Sequence, residues 1–188
     1  MITGKEYATQ ARSHKYDNIP YSKMDCQAFV EEVLADCGVR NSSGKRYNWK
    51  GSNDMWRGAL KWKGTIQDAL DAFGYIPDGA WLFIVKNDGG EEERGYHDGQ
   101  GNATHVAIYC DPDSSTPVRD STRSTKTKRD GVGYRSLDSF THVGLPTVIN
   151  YSQTGNDITN VFTEMIACIE RLSLLTNELK GDIITHGC

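Results

Sequence analysis

The chain has 188 residues and a net charge of -4, with 37% hydrophobic and 24% charged residues. That length suits one domain with its own core and a small appendage, and the composition lies outside the disordered class. The acidic balance speaks against generic nucleic-acid binding, which carries a basic excess, and no apolar stretch approaches the length of a membrane-spanning helix.

Thr3 and Glu6 make a capping box, which predicts a first helix over residues 4 to 14. The run Asn18-Ile19-Pro20-Tyr21-Ser22 breaks it. Asp25 is a good N-cap for a second helix from Cys26 to about Asp36. Its apolar residues Phe29, Val30, Val33 and Leu34 recur at helical spacing, and Gly38 supplies the left-handed stop. Residues 39 to 51 read as a loop. Ser52 is placed to cap a short helix through Leu60, and Thr65 to Phe73 predicts another.

After the turn Ile76-Pro77-Asp78-Gly79, the run Ala80 to Lys86 reads as a buried strand. Residues 87 to 103 are polar and glycine-rich, as expected of a loop or hairpin bordering a cleft. Further strands are predicted at His105 to Cys110, Val118 to Thr122, Gly133 to Leu137 and Leu145 to Tyr151. The basic residues 123 to 131 read as a solvated hairpin tip. Helices followed by consecutive strands define an α+β class with an antiparallel sheet.

The pattern changes after Tyr151. Ser152 to Asn156 reads as a linker, so the expected domains are 1–151 and 152–188. Val161, Met165, Cys168, Leu172, Leu175 and Leu179 alternate spacings of four and three, with Ile158 upstream. That is the seam of a coiled-coil-like helix, which predicts a homo-oligomer through residues 158–180 or docking on the domain. The start of the chain, Met1 to Glu6, lacks the apolar stretch of a signal peptide, so cytoplasmic synthesis is expected.

Five cysteines, Cys26, Cys37, Cys110, Cys168 and Cys188, form no C-x-x-C pair. Neither a zinc site nor a redox motif is expected, and no cofactor or metal is called for. His14, His97 and His186 have no partners at metal spacing. Asp111 to Ser115 lacks the glycine and distal glutamate of a calcium loop.

Cys26 differs from the other thiols in its placement. At a helix N-terminus the free N–H groups and the helix dipole favour a thiolate, and the same N–H groups can hold an oxyanion. His105 opens a strand and can serve as base, with the small Ala107 on the same strand face. Taken alone, each residue has an ordinary structural reading, as packed thiol or satisfied surface histidine.

The surrounding residues add a resemblance. Asp25-Cys26-Gln27-Ala28-Phe29-Val30 resembles the Asp-Cys-Ser-Gly-Phe-Val nucleophile motif of NlpC-type cell-wall peptidases. Ile76-Pro77-Asp78-Gly79-Ala80-Trp81 is similar to that family's turn into the sheet, and Thr104-His105-Val106-Ala107-Ile108-Tyr109 to its His-Val-Gly-Ile-Tyr motif. Phe140-Thr141-His142-Val143-Gly144-Leu145 resembles the closing segment of Gram-positive and prophage members. The departures are Gln27-Ala28 for Ser-Gly, Ala107 for Gly, and the long insert before His105.

The resemblance implies a papain-like NlpC fold, with the cysteine helix packed on an antiparallel sheet that carries the histidine. It implies a cysteine hydrolase acting on bacterial peptidoglycan, with Cys26 as nucleophile and His105 as base. A third residue should orient the imidazole from the next strand; Asp120 aligns best, and His142 is its rival. Tyr21 and Asp25, beside the nucleophile, are the candidate substrate-binding residues, with Tyr16 an alternative for the family's upstream tyrosine. Cleavage next to D-glutamate in the stem peptide is the usual reaction of the family. An amidase on the same fold and a non-catalytic wall-binding or virion module are the alternatives. The expected partner is peptidoglycan, with no nucleic acid or membrane. Access to the wall then comes by holin-type release or as part of a virion.

Overall fold

A computed structural model describes residues 1–86, 96–125, 128–151, 165–166 and 168–173. The chain divides into two units, Met1–Tyr151 and Ser152–Cys188. The first is a mixed α+β unit whose helices precede most of an antiparallel sheet.

The chain opens with strand β1 (Ile2–Thr3) and helix α1 (Gly4–Ala11), which carries the expected capping box between Thr3 and Glu6. The helix stops earlier than residue 14. Ser13 leaves helical geometry and caps a 3-10 turn, His14–Tyr16, by accepting a hydrogen bond from the Lys15 N–H.

Helix α2 (Cys26–Asp36) has the predicted bounds. The Asp25 carboxylate accepts the Ala28 N–H at 2.8 Å, and Gly38 takes a φ of 75° beyond the C-terminus. Phe29, Val30, Val33 and Leu34 are fully buried. Such side chains stabilise a fold by roughly 1.5–3 kcal/mol each, so this face commits α2 to the sheet.

Helix α3 (Ser52–Gly58) departs from expectation at both ends. Gly51, not Ser52, occupies the N-cap position, and the Ser52 hydroxyl instead donates to the Ala103 carbonyl at 2.5 Å. The helix ends at Gly58, and Leu60–Thr65 forms strand β2, an element the sequence reading did not anticipate. Its outer residues alternate with half-buried Leu60, Trp62 and Gly64, the period-2 pattern of a strand with one covered face. Helix α4 (Ile66–Phe73) follows directly, with a Thr65–Asp68 capping box and left-handed Gly74. It packs on β2 through an edge contact of Trp62 and Phe73, 4.9 Å between ring centroids.

The remaining strands are β3 (Trp81–Lys86), β4 (Asn102–Tyr109), β5 (Val118–Ser124), β6 (Arg129–Arg135), β7 (His142–Pro146) and β8 (Ile149–Asn150). Six of them make one sheet in the order β2-β7-β3-β4-β5-β6, every neighbouring pair antiparallel. β1 and β8 pair in parallel as a separate ribbon. Trp81, Leu82, Phe83, Val106, Ala107 and Ile108 are fully buried, which marks β3 and β4 as the centre of the sheet.

Several strand boundaries differ from the sequence reading. β6 begins at Arg129, not Gly133, because its residues extend the β5 pairing down to Ser124–Arg129. The final predicted strand is two short strands, β7 and β8, and β7 takes in His142. Of the predicted 87–103 loop, residues 87–95 lie outside the described residues. Asn102 and Ala103 belong to β4. Residues 98–101 are held against α3: Asp98 forms a two-point ion pair with Arg57, and the Trp56 indole donates to the Gln100 carbonyl.

Among the described residues no helix is long and apolar enough to cross a membrane. In the second unit, residues 165–166 and 168–173 are helical, and Met165, Ile166, Ile169 and Leu172 are exposed. The rest of the predicted seam lies outside the described residues.

Candidate active site

Cys26 is the first residue of α2, and its thiol lies beside the His105 imidazole on β4, close enough to raise the ring's affinity for a proton. His105 is nearly buried, and its Nε2 lies 2.7 Å from Asp120 Oδ2 on β5. Asp120 is fully buried. With Nε2 turned to a carboxylate, Nδ1 is the ring nitrogen left for the thiol.

The sheet explains why these two side chains meet. β4 and β5 pair through Ile108–Arg119 and Tyr109–Val118. Continuing that register puts Ala107 and Asp120 on the face of His105. The small Ala107 side chain leaves the space through which imidazole and carboxylate touch.

Asp120 is held by more than His105. Arg129 Nη2, from β6, donates to the Asp120 carbonyl at 2.7 Å and also to its carboxylate Oδ1. Arg135 Nη1, from the other end of β6, donates to Oδ2 at 3.2 Å. Burial pushes the Asp120 carboxyl upward, but the His105 hydrogen bond and the charges of His105 and Arg129 outweigh it and hold the group below the usual carboxylate range. For His105, burial works against the charged form. The hydrogen bonds and charges of Asp120 and Cys26 overcome it and raise the imidazole to about 9.

The segment before α2 is fixed by the same strands. Arg119, fully buried on the opposite face of β5, donates to the carbonyls of Ala11 and Ser13 at 2.7 and 3.0 Å and pairs with Asp17. The Val132 N–H reaches the Ile19 carbonyl at 3.1 Å, where a side chain at Gly131 (φ 112°) would strike that same oxygen. The Tyr21 N–H donates to Asp130 at 3.1 Å, and the Ser121 hydroxyl donates to the Met24 carbonyl. The start of α2 is thus registered on the strand that carries Asp120.

These ties set Tyr21 against Cys26. Burial, then the neighbouring charge of Cys26, push its hydroxyl up to about 12. Tyr16, the alternative, is fully buried against Phe29, with its hydroxyl bonded to Asp36; it belongs to the core. Asp25 is exposed at the rim, its carboxylate engaged as the helix cap. His142 is not brought to the site. It lies on β7, beyond β3 from His105, with its ring edge-on to Trp56 and its Nδ1 at 2.8 Å from the Thr141 hydroxyl.

Three features escaped the sequence reading. Arg129 was expected in a solvated tip, yet it grips Asp120. Phe140 lies 6.0 Å from His105 between ring centroids, covered by the Arg135 guanidinium at 5.1 Å. Gln27 ties the loop at 39–51 to the cysteine helix: it donates to Glu31 at 2.8 Å and to the Trp49 carbonyl, while the Trp49 N–H returns to Glu31 at 2.6 Å.

Burial pushes the Cys37 thiol up to about 11 and Cys110 to about 12, so both stay protonated near neutrality. Among the described residues no group of three or more His, Cys, Asp or Glu could hold a metal ion. A thiol, an imidazole and a buried carboxylate in series can carry nucleophilic acyl transfer. No family model matches the chain, and no curated protein or solved structure matches it significantly.

Proposed function

We propose that this protein is an NlpC-type cysteine hydrolase with a papain-like core that cuts peptide stems of bacterial peptidoglycan next to D-glutamate, in the manner of a phage or prophage lysin. The observation that carries the reading is the Cys26–His105–Asp120 series, seated on the motifs that resemble that family.

In this reading the Cys26 thiolate attacks the scissile carbonyl carbon and a tetrahedral intermediate forms. Asp25 already takes the Ala28 N–H with its carboxylate and the Phe29 N–H with its carbonyl. The first two N–H groups of α2 are then the ones directed at the oxyanion, with the Tyr21 hydroxyl beside them. The His105 imidazolium gives its proton to the leaving amine, the C–N bond breaks and a thioester remains. Water, deprotonated by His105, hydrolyses the thioester and releases the thiol.

Mass spectrometry of fragments from purified peptidoglycans tests the proposal. Products ending in D-glutamate support it. Release of whole stems from the glycan would instead identify an amidase, and intact peptidoglycan would identify a non-catalytic wall-binding module.

His105 must be protonated to release the amine. kcat/KM for stem-peptide cleavage is therefore expected to hold through neutrality and fall as pH rises through about 9. Asp120→Asn should move that alkaline limb to lower pH, since it removes the anion that favours the imidazolium. A limb at the same pH in both proteins would contradict this role for Asp120. Stability follows the same sign. The His105 contribution is fully present below the ordinary histidine value of 6.5 and is lost as pH rises through about 9.

The exposed apolar residues Met165, Ile166, Ile169 and Leu172 fit a helix that assembles several copies and raises avidity for a polymeric wall. Light scattering of the full chain is expected to give an oligomer, and truncation after Tyr151 a folded monomer. A monomeric full chain at micromolar concentration would refute the assembly.

A further inference from the structure

Along β6, residues Arg129, Gly131, Gly133 and Arg135 share one face, because side chains alternate along a strand. The register sets Asp120 directly opposite Gly133, with Thr122 opposite Gly131. The two arginines therefore stand at the ends of a track that carries no side chains in its middle. A Cβ at Gly133 would lie 3.2 Å from Arg129 Nε, so the Arg129 side chain runs over this glycine on its way to Asp120.

Arg129 is itself held in place. Its Nη1 donates to the Tyr134 carbonyl at 3.2 Å and its Nε to the Gly131 carbonyl at 3.4 Å. One nitrogen, Nη2, then spans the Asp120 carbonyl and Oδ1. A contact to both the backbone and the carboxylate of one residue fixes the rotation of that carboxylate. Oδ2 is left pointing at His105, with Arg135 steadying it from the other side.

We propose that Arg129, guided by the glycine track and assisted by Arg135, is a positioning residue that sets the Asp120 carboxylate for His105. This rests on the hydrolase reading only for its effect on turnover; the arrangement of charges around His105 stands apart from it. The groups facing the pair are His105 from β4, Arg129 and Arg135 from β6, and Cys26 from α2, with Tyr21 and Asp25 next to the thiol. Arg119, on the other face of β5, is turned toward α1 and Asp17.

The test uses the full chain and two readouts. The first is titration of the His105 ring followed by NMR of the Cε1–H signal, which needs no substrate. Removing a cation raises the affinity of its neighbours for protons, so in Arg129→Met the His105 midpoint should move up by about one pH unit. Arg129→Lys should restore it. The second is kcat and KM on a stem peptide, corrected for the fraction of protein whose Cys26 is alkylated by iodoacetamide. Arg129→Met is expected to lower kcat about 10-fold to 10²-fold with KM little changed, as misplacement of a catalytic group does, and Arg129→Lys to recover part of it.

Gly133→Val gives the same reading if Arg129→Met fails to fold. It keeps every charge and blocks the path of the Arg129 side chain, so it should lower kcat without removing a titrating group. An unmoved His105 midpoint in Arg129→Met would overturn the proposal, as would wild-type kcat in Gly133→Val. A midpoint shifted in Arg129→Met and also in Gly133→Val, which keeps every charge, would uphold the positioning even in a protein that cleaves no peptidoglycan, and would remove the hydrolase reading instead.

Discussion

Cys26→Ala is expected to yield a folded protein that no longer lyses cell walls. The side chain sits at the edge of the core, 8% exposed, and the change removes one sulfur atom. A cavity of that size costs about 1 kcal/mol, within reach of a typical domain stability. The Asp25 cap on Ala28, which starts the helix, does not involve the thiol. The loss of turnover should be near-total, roughly 10⁶-fold, as for other nucleophiles that act as a unit with their base. Cys26→Ser should fare little better, because a serine hydroxyl ionises far less readily than a thiol and is a weak nucleophile unless its base removes the proton during attack. His105→Ala should match Cys26→Ala, and the double variant should be no worse than either. Circular dichroism and lysis of purified walls decide the matter. Lysis at the wild-type rate in Cys26→Ala would end the cysteine mechanism.

The parts of this arrangement differ in how far the sequence exposed them. Helix α2 was legible because every signal that defines it is local: Asp25 as cap, four apolar residues at helical spacing, Gly38 as stop. The central strands were legible because their burial on both faces leaves continuous apolar runs. Strand β2 was hidden by its lysines. Leu60-Lys61-Trp62-Lys63 alternates too briefly to stand out between two helices, and its strand character comes from pairing with β7, some eighty residues away.

The Asp120 partners were hidden for a related reason. Arg129 belongs to a basic run that reads as a solvated tip until the β5–β6 register is known. Only then do Arg129, Gly131, Gly133 and Arg135 fall on the face of Asp120. A buried acid on the strand beside His105 needs cations, and a hairpin returning next to it is the nearest source. That requirement could have pointed to β6 from the sequence, but not to which of its arginines. His142 misleads in the opposite direction: its motif is conspicuous, yet β7 lies on the far side of β3 from the histidine strand.

Asp120→Ala is expected to cause the largest loss of stability of any single change in the site. The carboxylate is fully buried and compensates three proton donors: His105, Arg129 and Arg135. Removing it leaves two guanidinium groups around an empty anion position and an imidazole without the partner that raises it. Breaking a buried pair by deleting one member costs about 3–5 kcal/mol, since the remaining charge stays desolvated. The arginines are themselves partly exposed, 20% and 26% by side chain, so water relieves some of that cost and the lower end applies. A loss near 3 kcal/mol is still a large share of a domain's stability. Urea unfolding at pH 7 should show it as a lower midpoint. The double variant Asp120→Ala/Arg129→Met should recover part of the loss, because it removes one of the stranded cations. Within the folded fraction, turnover should fall less than in His105→Ala, as an orienting group only supports the base. A single-variant loss below about 1 kcal/mol would mean that solvent reaches the Asp120 position, and the buried charge cluster would then not be what holds β6 against the strands of Asp120 and His105.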